Sequence, residues 1–200
     1  MIWWLKIRAV PALAAGTAAT IAVGLLVGTA QLPVPTLTGQ AGQFLVGHLI
    51  TLMPAVLVLF GTGRGDAPAE SVASRPVRLW DVSLGAAVAL AALVTAWLCH
   101  LIWPAGNAPV LGRNIAGYIG LALILLPLTG HRAAGALIAV APLLCAGAGW
   151  AEGGRPEPWA WILHPGDSAL ALALALATLI TGIIVTLTRR KPPWDISAVQ

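Results

Sequence analysis

Six long apolar segments divide this chain, and its positive charges fall almost wholly in alternate gaps between them. The segments cover Ala9–Ala30, Ala41–Phe60, Val82–Trp103, Asn114–Gly130, Ala133–Trp150 and Ser168–Thr188. Each is about 17–22 residues, enough for an α-helix to cross a hydrocarbon core of about 30 Å. Lys6 and Arg8 precede the first. Arg64, Arg75 and Arg78 lie in the second gap, Arg132 in the fourth, and Arg189, Arg190 and Lys191 follow the sixth. Of the eleven cations only Arg113 and Arg155 break the alternation. Since Lys and Arg are retained on the cytoplasmic side, the pattern predicts an all-α, polytopic protein of the cell membrane. It has six transmembrane helices, with both termini cytoplasmic.

Composition points the same way. Only 9% of residues are charged and 58% are hydrophobic, leaving too little polar surface for a soluble domain of 200 residues. The net charge of +4 is read as the cytoplasmic face meeting anionic lipid, not as a nucleic-acid surface. Cys99 and Cys145 sit inside predicted spans and read as small packing residues. Lys6 and Arg8 before an apolar run resemble a signal peptide, with Gly28-Thr29-Ala30 as a cleavage site. The run is longer than a signal core, and its removal would leave one terminus outside, so it is expected to remain as a span.

Met1–Arg8 carries Trp3, Trp4 and two cations ahead of Pro11, the makings of a short interfacial helix or elbow. In the first span Gly16, Thr20, Gly24 and Gly28 share one helical face and allow close helix packing, within the chain or against a second copy. Gln31–Gln40 is expected to be a short extended external loop. Gln43, His48, Thr51 and Pro54 fall in the second span. Polar groups at membrane depth face protein or a cavity, so Gln43, His48 and Thr51 are candidates to line a pathway or to bond a neighbouring helix. Gly130-His131-Arg132 joins spans four and five as a hairpin, with Pro127 and Pro142 as possible kinks. Trp80, Trp103, Trp150, Trp159, Trp161 and Trp194 cluster at span ends, as an aromatic belt does.

Catalytic chemistry is sparse. The spans contain no carboxylate away from their ends, no phosphate-binding glycine loop occurs, and the histidines and cysteines lack metal-ligand spacing. No cofactor and no metal is expected in this chain, and any transport energy has to come from a partner. A lipid-modifying enzyme using His48, His100 or His164 as base lacks the carboxylates that would support it.

The cytoplasmic segment 61–81 is more informative. A proline-led short helix over Pro68–Ser74 with Glu70 near its N-terminus precedes Arg75-Pro76, and Val77-Arg78-Leu79-Trp80 leads into span three. Glu70–Gly85 resembles a segment of the permease subunits of type-2 ABC exporters, in which an acidic short helix precedes a Pro-Val-x-Arg-Trp-like turn and a glycine-bearing span. Glu70, Pro76, Val77, Trp80 and Gly85 match that pattern, Arg78 is displaced by about one position, and Arg64-Gly65-Asp66-Ala67 replaces the usual Arg-Glu-x-Gly-Thr run.

The resemblance implies a small, divergent bacterial member in which Glu70, Ser71, Pro76, Val77, Arg78 and Trp80 couple to a cytoplasmic ABC ATPase. ATP and magnesium would be bound by that partner. A second permease copy or a related permease would complete a pathway for an amphipathic or hydrophobic cargo. It also implies an N-terminal elbow at residues 1–8 and an external segment, 151–167, that dips back toward the membrane. A reading of another class is a non-transporting accessory, immunity or anchoring subunit.

Overall fold

A computed structural model describes residues 2–35, 41–64, 77–104, 107–151 and 153–189. Its helices are α1 (Ile2–Ile7), α2 (Val10–Val27), α3 (Val46–Ile50), α4 (Met53–Gly63), α5 (Val77–Ile102), α6 (Ala108–Ala148) and α7 (Ala169–Thr188). A two-stranded antiparallel hairpin, β1 (Gln31–Pro35) and β2 (Ala41–Leu45), separates α2 from α3, with Gln31 opposite Leu45 and Pro35 opposite Ala41. Prolines 11, 54 and 109 open α2, α4 and α6, where a missing N–H costs no intrahelical bond. Ser168 caps α7 by accepting from the Ala171 N–H.

Among the described residues, five segments are long and apolar enough to cross a membrane: α2, α3 with α4, α5, α6 and α7. The 41-residue α6 is broken at Gly130, whose φ of 77° lies where glycine alone is at ease. Its two halves turn back on each other. Gly117 packs against Trp161, while Gly149 packs against Ala160 and Leu163. A straight helix would hold those two glycines about 48 Å apart.

The packing inverts the soluble pattern. The buried face of α5 is Val82, Gly85, Ala89, Ala92 and Ala96, while Leu90, Val94, Trp97, Leu98 and Leu101 face outward. In α7, Ala171, Ala175, Leu179, Gly182 and Thr186 are buried, while Leu170, Ile180 and Ile184 are exposed. Small residues inside let helix backbones approach, and large apolar side chains outside suit a solvent of lipid tails. The backbones of α6 and α7 meet closely at Gly120 and Gly182. A Cβ on Gly182 would lie 2.5 Å from the Gly120 carbonyl oxygen. Beside it, the Thr186 hydroxyl donates across the interface to the Leu123 carbonyl at 2.7 Å. With its membrane-length helices, this arrangement reads as that of a membrane protein.

Several expectations are corrected. Residues 41–45 form a strand rather than the start of span two: they pair with β1, whose Pro33 and Pro35 fix φ and cannot continue a helix. Span two itself is interrupted between α3 and α4, just ahead of Pro54. Helix α5 begins at Val77, so Val77, Arg78, Trp80 and Asp81 belong to a helix and not to the cytoplasmic loop. At the other boundary of that loop, Gly61–Gly63 is the last turn of α4. The fourth apolar segment begins its helix at Ala108, six residues before Asn114.

Candidate functional site

Among the described residues, two polar assemblies interrupt the apolar bundle, one at each end. At the end carrying the β-hairpin and the turns after α5 and α6, the N-terminal part of α6 presents Arg113, Asn114 and Tyr118. All three are fully buried. The Arg113 guanidinium donates to the carbonyls of His164 (2.7 Å) and Pro165 (2.8 Å), tying α6 to the segment before α7. Its Nε also reaches Oδ1 of the Asn114 side-chain amide at 3.4 Å. That occupies the oxygen of the Asn114 amide and directs its NH2 to His48 Nδ1, 3.2 Å away. A neutral His48 accepting there carries its proton on Nε2. The Tyr118 hydroxyl donates to the His48 carbonyl at 3.1 Å. Phe44 packs against the His48 ring, and Trp161 meets Tyr118 edge-on.

The assembly is a latch. It joins α3, α6 and the segment His164–Pro165 through the buried side chains of His48, Arg113, Asn114 and Tyr118, where each unmade hydrogen bond is costly. Replacing Arg113 with lysine, which cannot fork to two carbonyls, is expected to remove about 1.5–3 kcal/mol. Thermal unfolding of the purified chain in neutral detergent should then begin several degrees lower, roughly 5 °C. An unchanged unfolding temperature would show that the two carbonyl bonds contribute nothing.

At the opposite end, Arg8 closes a salt bridge across the bundle. Its Nε and Nη2 donate to the two carboxylate oxygens of Asp81 at 2.8 and 2.7 Å, and Nη1 donates to the Thr62 carbonyl at 2.9 Å. Arg8 is only 1% exposed, so it is a structural cation rather than the headgroup-facing one expected from the sequence. The chain turns from α1 into α2 at Ala9, in the left-handed conformation with φ of 51°. Gly61 leaves room for the Arg8 carbonyl, since a Cβ there would sit 2.7 Å from it. Trp4 meets Trp80 edge-on at 5.6 Å. Helix α1 is thereby fixed to the first turns of α5, and an Arg78 guanidinium N–H bonded to the Arg189 carbonyl joins the end of α7 to the same place.

The residues singled out in the sequence scatter over these assemblies. Glu70, Ser71 and Pro76 lie outside the described residues, while Val77, Arg78 and Trp80 form the first turn of α5. Gln43 lies in β2. His48 and Thr51 are enclosed: His48 joins the latch, and the Thr51 hydroxyl donates to the Gly47 carbonyl. Gly16 packs on Leu57, Gly24 on Leu111, and Gly28 beside Asn107, so the α2 stripe serves packing inside the chain. Thr20 bonds back to the Gly16 carbonyl.

The tryptophans divide. Trp103 and Trp159 are exposed, whereas Trp150 is buried in the core and the partly buried Trp161 packs against Gly117. Arg113, Asn114, Tyr118 and the Arg8–Asp81 pair were not singled out as a site. One signal was present: Arg113 breaks the charge alternation at the edge of an apolar segment. Its burial explains how a cation is held there.

Among the described residues no group of three or more His, Cys, Asp or Glu side chains could hold a metal. Both cysteines are free, and Cys145 is buried. No protein-family model, curated protein or solved structure matches the chain.

Proposed function

We propose that the chain is the membrane-spanning subunit of an ATP-driven exporter of the cell membrane, working with a separate cytoplasmic ATPase. The observation that carries this reading is the clamp of α1 onto the start of α5 through Arg8–Asp81 and Trp4–Trp80. The segment resembling a coupling helix, which includes Glu70 and Ser71, runs directly into that clamp at Val77. A push on residues 65–76 would therefore be delivered to a rigid unit of α1, α5 and the end of α7. Counting the two halves of α6 as separate crossings gives six. The grouping of Arg64, Arg78, Arg132 and Arg189 at the clamp end would make that end and both termini cytoplasmic. A cargo pathway would then form between two permease copies, or between this chain and a related one.

A second reading is favoured by the enclosure of His48 and Thr51, which leaves these polar residues no cavity to line in a single chain. On it, the chain is a non-transporting accessory or anchoring subunit. Purification of the tagged chain in mild detergent separates the two. The exporter reading expects a co-purifying protein that hydrolyses ATP, with the association reduced at least about tenfold by Glu70→Lys, since reversing one charge of a docked pair costs more than 1.4 kcal/mol. Unaltered association in Glu70→Lys, or a chain that brings down no ATP-hydrolysing partner, would overturn it.

A further inference from the structure

A groove of about 300 Å³ opens at the clamp end between the last turns of α4 and the Gly130 bend. Its wall is apolar, with Val56 and Phe60 on the exposed face of α4, and its rim carries Arg64, His131 and Arg132. The His131 ring packs against Gly63, where a Cβ would come within 3.1 Å, so the rim residues of the two elements are held together. The Arg64 guanidinium lies 5.5 Å above the Phe60 ring, which confines it over the apolar wall. Among the described residues neither Arg64 nor Arg132 is paired with a carboxylate.

We infer that this groove binds an anionic phospholipid, with its phosphate between Arg64 and Arg132 and an acyl chain along Val56 and Phe60. Two guanidiniums with planar, forked donors match a phosphodiester. A basic rim at the end of membrane helices lies at headgroup depth. The exposed side chains of Val56 and Phe60 continue the rim onto the outward face of α4, a surface that a soluble anion would not use and an acyl chain would cover. The inference rests on the membrane reading of the chain and is independent of the exporter reading.

The test uses the full chain in neutral detergent, with phosphatidylglycerol or phosphatidylcholine added and retained lipid counted by native mass spectrometry. Phosphatidylglycerol should be retained in preference to phosphatidylcholine. The preference should fall about fivefold for each of Arg64→Gln and Arg132→Gln, and survive in the Arg64→Lys, Arg132→Lys pair. Size-exclusion profiles and thermal unfolding check that each variant is folded, and if one Gln variant is not, the other carries the comparison. Equal retention of the two lipids, or a preference unchanged by the Gln variants, overturns the inference. So does displacement of phosphatidylglycerol by millimolar inorganic phosphate, which would mark a site for free anions. Alkaline carbonate extraction of membranes keeps the readings apart: release of the chain would remove the membrane reading itself, whereas retention without lipid preference would remove only the lipid site.

Discussion

Gly182→Leu is expected to yield no monodisperse protein in detergent, and Gly182→Ala to unfold well below the parent chain. The Cβ of alanine would already stand 2.5 Å from the Gly120 carbonyl oxygen and 2.9 Å from the Leu123 Cβ. Neither neighbour is the free end of a flexible side chain. Relief therefore requires α6 and α7 to separate, and that would lengthen the bond from the Thr186 hydroxyl to the Leu123 carbonyl, now 2.7 Å. Overpacking of this kind costs about 1–3 kcal/mol for small additions and more where backbone must move. Alanine should then lower the unfolding midpoint by about 5–10 °C. Gly147, also helical but with nothing within 4 Å of a Cβ, supplies the control. There alanine should be neutral or raise stability by up to about 1 kcal/mol, because it restricts the unfolded chain and favours helix. Measuring the parent chain and the two alanine variants by tryptophan fluorescence in one detergent removes solubilisation as a variable. Equal midpoints for Gly182→Ala and Gly147→Ala would show that the two helix backbones are not in contact.

The contrast between the glycines also marks where sequence reasoning reached its limit. Long apolar runs bounded by cations identify helices because length and charge are local properties, and α2, α5 and α7 begin or end within a few residues of expectation. Which face of each helix is buried is not local. In lipid both faces are apolar, so hydrophobic periodicity carries little information, and the distribution of small residues has to stand in for it. The α2 stripe at Gly16, Thr20, Gly24 and Gly28 was legible for that reason. The equivalent face of α5 was not, because alanines fill its exposed side as well.

The hairpin at residues 31–45 was obscured by a different cause. The apolar run from Ala41 continues into α3 without a charge to interrupt it, so length alone favoured helix over strand. The polar assemblies were the least legible. Arg113 meets backbone carbonyls fifty residues away, and carbonyls leave no mark in a sequence. Arg8 was read as an interfacial cation, and nothing in the sequence ties it to Asp81, 73 residues further on. Only the bend at Ala9 and the gap at Gly61 bring them together.

That pair carries the second large expectation. Asp81→Ala should cost about 3–5 kcal/mol, because it strips a 1%-exposed guanidinium of its bidentate carboxylate while leaving the cation inside. The unfolding midpoint should fall by about 10 °C or more. The double change Arg8→Met, Asp81→Leu removes both charges and fills the space with apolar atoms, so stability should return to within about 1–2 kcal/mol of the parent, as it does when buried ion pairs are replaced together. A double variant no more stable than Asp81→Ala would mean that the two charges do not compensate each other, and the clamp would have to be held by Trp4 and Trp80 instead. The restored variant is also the informative one for function. It keeps α1 in place by packing yet lacks the directional bond from α1 to α5. If that bond transmits a push from residues 65–76, ATP hydrolysis by an associated ATPase should become insensitive to the membrane subunit while the complex still assembles. If hydrolysis and assembly both match the parent, the pair only holds the fold together, and coupling has to run through Arg78 and the end of α7.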